Sequence, residues 1–157
     1  MMPIPHVTQN EILCRKQIKF AAAHSLPEHS GKCAGLHGHT FVLEIAVSGF
    51  VQSVKPGCSD SGMVMDFAVI GELLKRLHDE CLDHKDLKNF EPYPTAERMV
   101  LRIWYLVCLW FNANASRLPS GVILRHIELY EEHVFPMCSV KLVNTSLIAP
   151  APVMALP

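Results

Sequence analysis

Residues 37–49 read His37-Gly38-His39-Thr40-Phe41-Val42-Leu43-Glu44-Ile45-Ala46-Val47-Ser48-Gly49, and the rest of the chain is interpreted from them. Phe41, Leu43, Ile45 and Val47 alternate with Thr40, Val42, Glu44 and Ala46, the period of a strand with one apolar face. His37 and His39 share the parity of the apolar set, so both imidazoles leave the same side of the strand. Two rings on one side can converge on one ion. Upstream, residues 14–24 suit a second strand that ends in Phe20-Ala21-Ala22-Ala23-His24. Its alanine run lets neighbouring chain segments approach closely. Residues 26–36 lie between the two strands and contain Pro27, Gly31 and Gly35. They read as a loop that carries Cys33 towards the histidines.

Downstream, residues 53–62 are a connection rich in turn formers. Phe67, Ile70, Leu74, Leu77 and Cys81 then recur at steps of three and four, which predicts an amphipathic helix with Asp66 as its N-cap. A polar turn is expected over 83–94 and a second helix over 95–111. The second helix is apolar on nearly all faces, so it is expected to be buried, against a partner subunit if not within the chain. Residues 112–120 read as a loop. Residues 122–131 and 137–143 read as a closing pair of strands joined around Pro136. The order β-β-α-α-β-β implies an α+β domain with an antiparallel sheet. One domain is expected over 1–146. The apolar, proline-rich tail 147–157 is expected to be poorly ordered unless a neighbour holds it.

Composition narrows the function. Half of the 157 residues are apolar and 18% are charged, which excludes a disordered chain. Fourteen basic residues nearly balance fifteen acidic ones, so nothing in the charge points to nucleic acid or an anionic membrane as partner. The first residues lack the basic start and apolar run of a secretory signal. The apolar run 100–111, interrupted only by Arg102, is too short to span a bilayer. The six cysteines, at positions 14, 33, 58, 81, 108 and 138, show no Cys-x-x-Cys spacing. Reduced thiols and a cytoplasmic location are therefore expected.

The chemistry-bearing residues each admit two readings. His24, His37 and His39 fill three corners of a zinc tetrahedron and leave the fourth open, as in a reactive rather than a structural site. His37 and His39 alone would also suit a plain sheet surface. Cys33 could be a small buried hydrophobe. Its position beside Lys32 and four residues from His37 suits a thiolate that removes a proton. Asp83 and His84 either cap a helix end or form an acid/base pair, with Asp83 or Asp86 as the carboxylate. Glu131 shares the parity of Ile127 and Leu129, where a carboxylate needs a partner. A guanidine-like N–H pair, as in a pterin ring, would supply one; a strand-end glutamate reaching solvent is the other reading.

Taken together, Phe20-Ala21-Ala22-Ala23-His24, Cys33-x3-His37-Gly38-His39, Met65-Asp66-Phe67, Leu82-Asp83-His84, Pro94-Thr95-Ala96-Glu97 and Leu129-Tyr130-Glu131 resemble the 6-pyruvoyltetrahydropterin and 6-carboxytetrahydropterin synthase family. The resemblance implies the tunnelling fold, a four-stranded antiparallel sheet with two helices on one face, assembled into an oligomeric barrel. It implies a homohexamer made of two trimers, with sites at subunit interfaces. His24, His37 and His39 would bind Zn2+, Cys33 would be the general base, and Asp83 with His84 the second proton-transfer group. Glu131 would anchor the pterin ring, supported by Thr95 and Glu97. The three-residue gap between Cys33 and His37 resembles the carboxy-type lyase of queuosine biosynthesis. That enzyme turns 7,8-dihydroneopterin triphosphate into 6-carboxy-5,6,7,8-tetrahydropterin, acetaldehyde and triphosphate. A pyruvoyl-type synthase, or a non-catalytic zinc- or pterin-binding relative, would share much of the pattern. Ser25, Lys88-Asn89 and Glu132-His133 depart from the family's usual residues.

Overall fold

The computed structural model describes residues 10–132 and 138–145. Four antiparallel strands form one sheet in the order β1-β2-β3-β4, with β1 at Ile12–His24, β2 at His37–Gly49, β3 at Ile123–Glu132 and β4 at Cys138–Val143. Two helices, α1 at Phe67–Leu77 and α2 at Ala96–Ala113, are inserted between β2 and β3. The expected α+β order and sheet are present. The proposed strand start at Met137 and the tail 147–157 lie outside the described residues.

β1 and β2 pair without interruption from Ile12↔Gly49 to His24↔His37. Their even and odd residues respectively face the helices: Phe20, Ala22, Phe41, Leu43, Ile45 and Val47 join one buried cluster with residues of both helices and of β3. In β3, Leu124, Ile127 and Leu129 are fully buried. The β2–β3 register shifts once, between Ala46 and Val47, at the end of β2 distant from its histidines.

Helix α1 buries Ile70, Leu73, Leu74 and Leu77, and Asp66 caps it by accepting from the Ala68 N–H at 2.7 Å. The spacing predicted a helix as far as Cys81, but the α-helix ends at Leu77. A π-turn over His78–Leu82 follows, which buries Leu82 and leaves Asp83 extended. Thr95 is not part of α2 but its N-cap, accepting from the Arg98 N–H at 3.3 Å. The expectation that α2 is buried on nearly all sides needs correction within the single chain. Met99, Val100, Ile103, Val107, Cys108, Trp110 and Phe111 are buried, but Leu101 and Leu109 are 52% and 44% exposed. The sheet covers only one side of the helix.

The opposite face of the sheet is polar. Gln17, Glu44, Glu128 and Lys141 lie side by side across all four strands. Two buried carboxylates directly opposite each other would repel, and each is compensated. Glu44 accepts from Gln17 at 2.7 Å and pairs with His126 at 2.9 Å; Glu128 accepts from Ser139 at 2.9 Å and pairs with Lys141 at 2.5 Å.

Replacing Leu43, which is fully buried, by alanine is expected to cost about 2–5 kcal/mol, read by urea unfolding. Burial pushes the Glu44 carboxyl up, but hydrogen bonds from His126 and Gln17 outweigh it and hold the group below its ordinary value of 4.5. Its stabilising contribution is therefore complete above pH 4.5 and is lost as the pH falls through the lower folded-state value. Glu44→Gln is expected to flatten the loss of stability on acidification below pH 4.5. An unchanged acid slope in that variant would count against this role.

Candidate active site

The end of the β1–β2 ladder brings the three histidines together. His24 and His37 are directly paired across the strands, and His39 lies opposite Ala22. The ring centroids form a triangle of 4.6 Å (His24–His37), 4.9 Å (His37–His39) and 5.1 Å (His24–His39). One ligand nitrogen from each lies within 4.8 Å of the others, a group compact enough to gather around one ion. The Phe41 ring meets His24 and His39 edge-on at 5.8 and 5.6 Å and closes the inner side of the cluster.

Two backbone carbonyls decide which nitrogens are offered. His24 Nδ1 lies 2.9 Å from the Pro94 carbonyl and His37 Nδ1 lies 2.8 Å from the Gly35 carbonyl. A carbonyl oxygen only accepts, so both Nδ1 atoms carry the proton and both Nε2 atoms present lone pairs. Those two Nε2 atoms are buried and have no hydrogen-bond partner. A buried acceptor left without a partner costs about 1–3 kcal/mol, and here two point into the same small space. Nitrogen donors fixed in this way, each with its other N–H on a carbonyl, suit zinc. The residues present fit a bound metal ion.

A second group, Glu44, His126 and Glu128, is also compact enough to hold an ion. It differs in that both carboxylates already accept hydrogen bonds and face Lys141 and His126. No empty donor set is seen there.

Cys33 sits in a short 3-10 turn, Lys32–Ala34, in the loop between β1 and β2 and is half-buried. The loop is tied back on itself by the Leu26 N–H, which donates to the Cys33 carbonyl at 2.8 Å.

Of Asp83 and Asp86, it is Asp83 whose carboxylate contacts His84. His84 Nδ1 lies 2.6 Å from Asp83 Oδ2, whereas Asp86 caps its own turn by accepting from the Lys88 N–H. Asp83 Oδ1 accepts from the Ala21 N–H at 3.0 Å. That backbone bond, and then His84, hold the Asp83 carboxyl below the usual carboxylate range. His78 Nε2 stands 3.6 Å from the same carboxylate. His84 itself adopts a left-handed backbone with φ 54°, maintained by its N–H donating to the Ala21 carbonyl at 2.7 Å. The Ala23 N–H donates to the Lys85 carbonyl at 3.0 Å, and Ala23 bridges Asp86 in parallel. Residues 83–86 thus lie along the outer edge of β1, next to the first histidine. A hollow of about 680 Å³ is bordered by both His39 and His84.

Glu131 pairs with Phe41 in the ladder and so shares the face of His37 and His39; it is half-buried. Thr95 and Glu97 lie at the start of α2, where Thr95 is spent partly on capping and Glu97 is exposed. Within one chain the structure joins the three histidines to each other and Asp83 to His84. Sequence reading missed the Pro94 and Gly35 carbonyls, because a main-chain acceptor leaves no mark in the residue type. The turn formers Pro94 and Gly35 were the only available signal.

Residues 13–135 match the family model described as 6-pyruvoyl tetrahydropterin synthase. The 6-carboxy-5,6,7,8-tetrahydropterin synthase of Rickettsia conorii is 42% identical over 73 residues, 46% of this chain and 49% of that protein. The match thus spans about half of that relative's length. The 6-pyruvoyl tetrahydrobiopterin synthase of Dictyostelium discoideum is 33% identical over 113 residues, 62% of this chain and 78% of that protein. The structure of Caenorhabditis elegans 6-pyruvoyl tetrahydropterin synthase superposes with a TM-score of 0.59 at 24% identity, over 84% of this chain and 96% of that one, a likeness of fold. With its matched span covering most of the sheet and both helices, the chain belongs to the 6-pyruvoyl tetrahydropterin synthase family.

Proposed function

We propose that the protein is a zinc-dependent lyase that converts 7,8-dihydroneopterin triphosphate and one water to 6-carboxy-5,6,7,8-tetrahydropterin, releasing acetaldehyde and triphosphate. The observation that carries this reading is the pair of buried, partnerless Nε2 atoms of His24 and His37 beside the His39 ring. Family membership and the carboxy-type name of the Rickettsia relative supply the substrate class.

His24, His37 and His39 would hold the zinc. When bound, zinc supplies Lewis acidity towards the side-chain hydroxyls of the pterin. Cys33 acts as the general base, taking a proton from the substrate side chain on its sulfur. Asp83 orients His84 through Nδ1, which leaves His84 Nε2 as the atom that gives or takes the second proton. The His84 side chain is 81% exposed in the single chain, as suits a group that meets substrate at a subunit boundary. Glu131 accepts the paired N–H groups of the pterin ring in a bidentate contact, with Thr95 and Glu97 beside it. The working form is a cytoplasmic homohexamer of two trimers, with neither membrane nor nucleic acid as partner. Among the described residues no helix is long and apolar enough to cross a membrane.

A pyruvoyl-type synthase using the same groups is the second reading. The Dictyostelium relative, matched over the larger share of its length, favours it.

Incubating the zinc-loaded protein anaerobically with 7,8-dihydroneopterin triphosphate separates the two. Acetaldehyde in equal amount to 6-carboxytetrahydropterin is expected; a pyruvoyl product without acetaldehyde would transfer the protein to the second reading. Cys33→Ala is expected to keep its zinc and lose about 10²–10⁴-fold in turnover, and full turnover would remove Cys33 from the mechanism. His37→Ala is expected to lose the metal while keeping its far-ultraviolet circular dichroism, and a full zinc content would refute the ligand assignment.

A further inference from the structure

The Pro94 carbonyl that fixes His24 belongs to a turn that is itself held. Pro94 stands just before the N-cap Thr95, outside the hydrogen-bond ladder of α2, so its carbonyl is available to His24. The turn starts at Glu91, whose N–H donates to the Leu87 carbonyl at 2.9 Å. It ends where the Thr95 N–H donates to the Tyr93 carbonyl at 2.8 Å. Across it runs one side chain. Glu91 is only 7% exposed, and its Oε1 accepts from Arg98 Nε at 2.6 Å and from the Tyr93 N–H at 3.4 Å. The carboxylate therefore ties the first residue of the turn to the first turn of α2, with Pro94 enclosed between them. A buried carboxylate is costly to maintain when its counter-charge sits on a half-exposed arginine. A turn needed only as a connection could be closed by neutral groups.

We propose that Glu91 is a positioning residue for the metal centre: through Arg98 and the 91–95 turn it sets the Pro94 carbonyl, and through that carbonyl the tautomer and ring angle of His24. This rests on the reading of His24, His37 and His39 as metal ligands. Loss of an outer hydrogen-bond partner of a ligating histidine typically weakens metal binding 10–100-fold. Glu91 acts one link further out, so its removal belongs at the lower end of that range.

The test uses the full chain, stripped of metal and titrated with zinc against a chromophoric chelator, and separately loaded with cobalt for its visible spectrum. Glu91→Ala is expected to weaken zinc binding about 10-fold and to alter the visible cobalt bands. Glu91→Gln, which keeps an acceptor oxygen for Arg98 and for the Tyr93 N–H, is expected to recover most of that affinity. A purely structural role would lower the melting temperature of Glu91→Ala but leave the cobalt bands of the folded protein in place. Should Glu91→Ala not fold, Arg98→Ala is measured in the same way, since the Arg98 side chain is 55% exposed. Unchanged zinc affinity and unchanged cobalt bands in the folded variant would overturn the inference while leaving the metal centre standing. A wild-type protein that takes up neither metal would overturn the metal-centre reading itself.

Discussion

The register between β1 and β2 is the constraint on which the site depends. Side chains alternate along a strand, so a slip of one residue would send His24 to the face opposite His37 and His39. The ladder resists such a slip because the same parity that aligns the histidines also buries Phe20, Ala22, Phe41, Leu43, Ile45 and Val47 beneath the helices. Folding the core and assembling the trio are thus one event. The register shift at Ala46/Val47 between β2 and β3 leaves the β1–β2 pairing intact.

What the register brings together, the backbone then orients. The carbonyls of Gly35 and Pro94 come from a loop and a turn far apart in the chain, yet each imposes the same tautomer on its histidine. The two lone pairs are consequently present before anything binds. That preorganisation lowers the ordering cost of taking up an ion, and the unpartnered nitrogens are its cost to the folded protein.

Much of this was legible in the residues. The alternation of residues 40–47 identified β2 and put His37 and His39 on one side; the apolar spacing after Asp66 identified α1 and its cap. Sequence reading lost accuracy where tertiary contacts decide the outcome. Cys81 fits the helical period of α1, yet the chain widens into a π-turn because Leu82 is drawn into the core and the Asp83 N–H closes on the His78 carbonyl. Apolar residues ring α2, but a helix resting on one sheet face can bury only part of its circumference. Residue type could not separate Asp83 from Asp86, since both suit a turn; the Ala21 N–H and His84 select Asp83. Glu91 offered no motif at all, because its meaning comes from a partner seven positions away and a carbonyl between them.

The path of residues 83–86 along β1 has a bearing on how sheets meet. β1 is an edge strand, and its outward main-chain groups at Ala21 and Ala23 are already taken by Asp83, His84 and Lys85. Among the described residues, no strand pairs with the stretch from Ile12 to Lys19 on that side. A strand arriving from another molecule therefore finds a docking rail with a fixed stop at one end. The stop blocks sliding towards the histidines. An exposed edge that would otherwise invite pairing along its whole length is thus closed at the end that carries His24.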